Sequence, residues 1–162
     1  MMISCRIETP EDEPFVRQLV TDYATADLAA WSWPQPMRDH LVGIQYTQRR
    51  QNIRSNHPKA DSKIILVDGK PSGWLVVSSS EDEIHVIEII ILPEHRGMGI
   101  GSEVLGQVMA ESDRSGRPIS LTVRTNNRAL RLYQRLGFQR AGGDEIQHFM
   151  ERPAGINKTD AI

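Results

Sequence analysis

The chain has 162 residues, a length suited to one domain that buries about two-thirds of its unfolded surface. Hydrophobic content of 39% and charged content of 25% are those expected of an ordinary soluble globular protein. A formal charge of −2 and a pI near 6.2 argue against a general nucleic-acid or anionic-membrane binder. Cys5 is the single cysteine, so no internal disulfide forms, and a reducing cytoplasm is the expected location. The stretch Met1 to Glu8 has no apolar signal core, and no run approaches ~18 apolar residues, so no membrane span is expected. Without repeats or a linker-like shift, residues 1–152 are expected to form one domain, with 153–162 as a mobile tail.

In chain order, Ile3 to Ile7 alternates apolar and polar residues, which predicts a first strand. Thr9-Pro10-Glu11-Asp12 carries helix-start chemistry, and Phe15, Val16, Leu19, Val20 and Tyr23 recur at helical spacing after it. A second helix is expected from about Met37 to Ser55, with Met37, Leu41, Ile44 and Gln48 on one face. Lys63 to Val67 and Trp74 to Val77 read as strands joined through an Asp68-Gly69 hairpin turn. Ser78 to Glu83 is a polar connection into a run rich in β-branched residues, Val86 to Leu92. Ile100, Val104, Leu105 and Val108 mark a third helix, with Gly116 as its cap and Pro118 as a stop. Ile119 to Val123 is a strand. Asn126 is expected to open a fourth helix carrying Ala129, Leu132, Tyr133 and Leu136, and Phe138 to Ala141 and Ile146 to Glu151 close the chain as a strand pair. The order β-α-α-β-β-β-α-β-α-β-β predicts an α/β (α+β by some schemes) fold with a mixed central sheet and helices on both faces.

The chemistry concentrates where the central run ends. Pro93 stops the strand, and Gly97, Gly99 and Gly101 allow a tight turn and a close backbone approach to a ligand. A helix follows at Ile100, and a helix N-terminus is a ready anion site. No Gly-Lys-Ser/Thr follows, so this is not a nucleotide P-loop. Gly97-x-Gly99-x-x-Ser102 also departs from the dinucleotide fingerprint. Arg96-x-x-Gly99-x-Gly101, after a strand ending in Leu-Pro-Glu-His, resembles the pyrophosphate loop of the GNAT N-acetyltransferase superfamily. Downstream, Asn126-x-x-Ala129-x-x-Leu132-Tyr133-x-x-Leu136-Gly137-Phe138 looks like that family's second cofactor-proximal motif, in the family's order. The recognisable match runs from about Ile84 to Phe138.

The resemblance implies transfer of an acetyl group from acetyl-CoA to a primary amine by direct attack in a ternary complex. It places pantetheine along the amides of Ile89, Ile90 and Ile91, one of which would stabilise the oxyanion; the alternative is ordinary sheet bonding. It places the pyrophosphate on Arg96, Gly97, Met98, Gly99, Ile100, Gly101 and Ser102. Tyr133 is the general-acid candidate for the leaving thiolate, or else a core aromatic. Asn126 is a cofactor contact, a helix cap, or both. Glu88, the one carboxylate in an apolar segment, is either the general base or the partner of a neighbouring side chain, and His85 is the second choice as base, more simply read as an edge residue. Arg124, Arg128, Arg131 and Arg135 make the fourth helix region basic; they are read as a solvated face, the alternative being that one of them meets the CoA ribose phosphate. Trp31, Trp33 and Tyr46 fall where the family builds its acceptor pocket, or pack in the core, and the charge of Asp22, Asp27 and Asp39 nearby in sequence would suit a cationic acceptor. No metal is expected, since His and acid residues show no ligand spacing. The expected partner is an amine acceptor of unknown identity, with neither nucleic acid nor membrane, and family resemblance admits a homodimer. The alternative reading is a GNAT-fold acyl-CoA sensor or protein-interaction module without turnover, and a succinyl or longer-chain acyltransferase is the other enzyme class.

Overall fold

The computed structural model describes residues 1–28 and 34–155, with the backbone alone for 24–28. The elements are β1 (Ile3–Ile7), α1 (Glu13–Leu28), α2 (Gln35–Asn56), β2 (Asp61–Val67), β3 (Lys70–Ser79), β4 (Ile84–Ile91), α3 (Ile100–Ser115), β5 (Ile119–Arg124), α4 (Ala129–Arg135), β6 (Gln139–Gly143) and β7 (Gln147–Arg152). This is the order that periodicity and turn residues predict. Seven strands make one mixed sheet in the order β1-β2-β3-β4-β5-β7-β6, mostly antiparallel, with β4 and β5 parallel. Parallel neighbours need a long crossover, and α3 supplies it. Two compact units can be distinguished: Met1–Val76 with Glu88–Met98, and Val77–Ile87 with Gly99–Ile162.

In the first unit, β1 and β2 pair antiparallel from Ile3↔Val67 to Ile7↔Lys63. Asp68 and Gly69 take positive φ, 51° and 82°, as a primed two-residue turn demands. Pro10–Asp12 form a 3₁₀ turn that leads into α1, with the Thr9 N–H donating to the Asp12 carboxylate at 2.8 Å. Val16, Leu19 and Val20 of α1 are buried, as are Ile64, Ile65, Trp74, Leu75 and Val76 of the strands. β3 is longer than its apolar core predicts, because it starts directly from the turn at Lys70. Gly73 lies in it where a Cβ would meet the Ile90 carbonyl oxygen at 2.7 Å and the Ile65 and Ile91 methyls at 3.1 Å. Gly73→Ala is therefore expected to lower stability by about 1–3 kcal/mol through overpacking, measurable as a shifted urea midpoint with an unchanged slope.

The inward face of α2 is not the one its aliphatic spacing predicts. Met37 and Ile44 are 54% and 41% exposed, and Gln48 is exposed too. The buried positions are Val42 and Tyr46, followed on the same side by half-buried Arg49, Arg50 and Ile53. Arginine stems cover apolar surface well once their charge is satisfied, and here carboxylates satisfy it: Glu8 takes Arg50 and Glu88 takes Arg49.

In the second unit, β5 pairs with β7 along its whole length, from Ile119↔Arg152 to Arg124↔Gln147, and a bulge between Arg140 and Gly142 interrupts the β6–β7 ladder. The core is Ile84, Val86, Ile100, Val104, Leu105, Ile119, Leu121, Val123, Phe138 and Met150. Gly116 caps α3 at φ 73°, its N–H reaching the Ser112 carbonyl at 2.9 Å. The start of α4 differs from expectation. The helix begins at Ala129, Asn126 is exposed in the preceding turn, and it is the Asn127 side-chain oxygen that accepts the Ala129 N–H at 2.9 Å. Two consecutive asparagines carry the same capping chemistry, so residue type alone did not separate them. The described part of the expected tail, Pro153 to Gly155, is tied back by the Gly155 N–H on the Asp113 carboxylate at 2.6 Å, and the rest lies outside the described residues.

Candidate active site

In the first unit lie Glu88 and the end of β4. Glu88 sits on an apolar strand with its side chain 17% exposed, and Arg49 of α2 donates to it at 3.0 Å. Burial pushes the Glu88 carboxyl above the usual carboxylate range, and the nearby Arg49 charge and hydrogen bond only partly offset it. The Arg49 guanidinium in turn lies over the Tyr23 ring of α1, 5.5 Å from its centre. A carboxylate paired with a neighbour is thus what the structure shows, and the raised pKa keeps it a weaker acid than an exposed glutamate. Ile90 is buried, while Ile89 and Ile91 are half-buried. The strand ends where the Leu92 N–H donates to the Ser72 carbonyl at 2.9 Å, and Pro93–His95 form a 3₁₀ turn. Arg96 is exposed, and its Nε donates to the Ile91 carbonyl at 3.2 Å, which anchors the stem of the side chain. Gly97 takes φ 79°, and Met98 is 49% exposed.

In the second unit lie the residues that follow the loop. Gly99 is the N-cap of α3 at φ 80°, with no side chain capping the helix start. A side chain there would strain the turn, and its absence leaves the first amides of Ile100, Gly101 and Ser102 for another acceptor. A Cβ on Gly101 would stand 3.5 Å from Leu132 of α4, so the first turn of α3 packs close to the helix that carries Tyr133. Tyr133 is buried, its ring meeting Phe138 edge-on at 5.8 Å between centres. Arg124, Arg128, Arg131 and Arg135 are all exposed, which is the solvated face expected of them.

His85 is not an edge residue. It lies in β4, opposite Ser120 of β5, with its Nδ1 2.7 Å from the buried Ser120 hydroxyl, and Ser120 donates to Glu83 at 3.0 Å. Because the Ser120 proton goes to Glu83, the His85 Nδ1 is the donor in this chain. Sequence reasoning missed this relay, since it joins positions 35 residues apart. It also missed Arg49 as the partner of Glu88, since the two lie 39 residues apart.

Of the expected acceptor pocket, Trp31 and Trp33 lie outside the described residues, as does the side chain of Asp27. Tyr46 is buried at 5% exposure, under Arg17 and Arg50. Asp22 accepts from Gln18 at 2.8 Å and Asp39 from Gln35 at 2.7 Å, both on helix surfaces. Among the described residues, no group of three or more His, Cys, Asp or Glu side chains is placed to hold a metal ion, and no helix is long and apolar enough to cross a membrane.

The sequence profile of the acetyltransferase (GNAT) family matches residues 17–138. No curated protein matches the chain. Among solved structures, the PaiA N-acetyltransferase of Thermoplasma acidophilum, in complex with coenzyme A, superposes with a TM-score of 0.71 at 16% identity, over 94% of this chain and 99% of that one. An acetyltransferase from Thermus thermophilus gives 0.67 at 18% identity, over 94% and 97%. The ribosomal-protein-S18-alanine N-acetyltransferase of Escherichia coli gives 0.64 at 19% identity, over 96% of each. At these identities the likeness is one of fold.

Proposed function

Since the chain belongs to the GNAT acetyltransferase family, we propose that it transfers the acetyl group of acetyl-CoA to a primary amine by direct attack in a ternary complex, within a single domain spanning residues 1–152. The observation that carries the cosubstrate is the glycine loop: Gly97 and Gly99 at positive φ lead straight into a helix start that no side chain caps. Unclaimed amides and the positive end of α3 suit a pyrophosphate, so Arg96 to Ser102 are assigned to hold it. Asn126, exposed in the turn before α4, is assigned a cofactor contact. The amides of Ile89 to Ile91 are assigned to the pantetheine arm, one of them polarising the thioester carbonyl. The thioester supplies an activated acetyl group, and the chain supplies proton transfers. Glu88 takes a proton from the ammonium form of the acceptor, and the freed amine nitrogen bonds to the carbonyl carbon. As the carbon–sulfur bond breaks, Tyr133 gives its hydroxyl proton to the thiolate, and the proton that the new amide nitrogen sheds restores the Tyr133 hydroxyl.

The test is thermal stabilisation by acetyl-CoA, free CoA, succinyl-CoA and ATP, taken one at a time. A ligand at ~100 times its dissociation constant adds about 2.7 kcal/mol, several degrees for a chain of this size. A shift with acetyl-CoA and not with ATP, followed by thiol release in a panel of amines, is the expected result. No shift with any CoA species would remove the cosubstrate, and a shift without thiol release would favour a sensor.

Glu88 has its own signature. Its raised pKa means that the base is lost to protonation at a pH above the ordinary carboxylate range, so the acidic limb of kcat/KM should fall there. Glu88→Gln is expected to lower kcat by about 10²-fold or more and to flatten that limb. An unaltered limb would assign the proton to water or to His85 instead.

A further inference from the structure

The first unit holds a cleft away from the residues assigned above. It lies between the start of α1 and the last half of α2, has a volume of 440 Å³, and is lined by Glu13, Arg17, Tyr46, Arg50, Gln51 and Arg54 among others. That volume falls within the range of small-molecule sites, about 300–1,000 Å³. Arg50 is spoken for, since it is paired with Glu8. Arg17 and Arg54 are exposed, and among the described residues neither makes an ion pair. Arg17 instead lies over the Tyr46 ring, 5.2 Å from its centre, although Glu13 is four residues before it on the same helix. Glu13 likewise has no ion-pair partner there. One small cleft therefore presents two uncommitted guanidinium groups and one uncommitted carboxylate.

We infer that this cleft binds a small zwitterion of the amino-acid type, its carboxylate held by Arg17 and Arg54 and its ammonium by Glu13. A guanidinium is a planar fork that matches a carboxylate with two parallel hydrogen bonds. A phosphate dianion fits less well, because Glu13 repels it. A simple amine fits less well, because the two arginines do. The Gln51 amide both donates and accepts, so it serves either end of such a ligand. The site does not depend on acetyl transfer, and none of its three ligand-holding residues belongs to the catalytic machinery proposed above.

The test is calorimetric titration of the whole chain with each of the common L-amino acids up to about 10 mM, beside the matching acids lacking the amino group and the matching amines lacking the carboxylate. At least one amino acid is expected to bind better than either truncated analogue. Arg17→Gln and Arg54→Gln should each weaken it about tenfold or more, and Glu13→Gln should weaken the amino acid but not its deaminated analogue. All three variants should keep the wild-type circular dichroism and the wild-type stabilisation by acetyl-CoA, which separates loss of this site from loss of the proposed cosubstrate site. Absence of binding by every amino acid overturns the inference. So does binding that survives Arg17→Gln combined with Arg54→Gln, because the ligand would then sit elsewhere, and so does equal binding of the deaminated acid.

Discussion

Tyr133→Phe is expected to lower kcat by about 10²–10⁴-fold while leaving stabilisation by acetyl-CoA nearly unchanged. The substitution removes one oxygen from a side chain that is 6% exposed and keeps the ring that meets Phe138 edge-on. The packing is therefore conserved, and a stability change beyond about 1 kcal/mol is not expected. A core aromatic and a proton donor are distinguished by this variant alone: the first predicts wild-type turnover, the second a rate loss without a binding loss. Because the acid works only when the thiolate leaves, its removal should act on kcat and kcat/KM together. Poor leaving groups need that proton most, so an activated thioester with a more acidic thiol should recover part of the lost rate. Unchanged turnover with acetyl-CoA would take Tyr133 out of the mechanism.

Parts of this molecule were legible because their chemistry is local. Asp68-Gly69, Gly116 and the run from Glu88 to Ser102 declare their backbone geometry within a few residues, and the structure reproduces each of them. The glycine loop belongs to this class: positive φ and uncapped amides are properties of neighbouring residues. What misled was charge turned inward. Arg49 and Arg50 lie half-buried on the inward side of α2, where Glu88 and Glu8, 39 and 42 residues away in sequence, neutralise them. A hydrophobic count gives such positions to solvent and groups Met37 and Ile44 on one apolar face, whereas both are exposed. His85 was misread for the same reason, since its partner Ser120 lies across a crossover connection.

The Glu8 network carries the largest expected stability effect. The Glu8 carboxylate accepts from both terminal nitrogens of Arg50 and from the Ser62 hydroxyl, and Ser62 in turn accepts from the Trp74 indole at 2.8 Å. Arg50 also donates to the Tyr46 hydroxyl at 3.2 Å and lies over the Trp74 ring, 4.9 Å from its centre. The two charged side chains are 18% and 12% exposed, and Trp74 is fully buried. Glu8→Ala leaves a guanidinium in this setting without its counter-charge, which should cost about 3–5 kcal/mol and lower Tm by roughly 10 °C. Replacing Arg50 as well should be milder than the sum of the single losses, so a double-mutant cycle in urea reads the coupling directly. The pH dependence has a defined sign. Burial raises the Glu8 pKa, but the hydrogen bonds from Arg50 and Ser62 and the Arg50 charge outweigh it, and the net shift is downward. A lowered folded pKa contributes stability that is fully present above the unfolded value, about 4.3, and is lost as pH falls through the folded one. The gap between wild type and Glu8→Ala should therefore be widest near neutrality and narrow in acid. A gap that stayed constant through the acid range would mean that Glu8 acts there by shape, with its charge irrelevant to the fold.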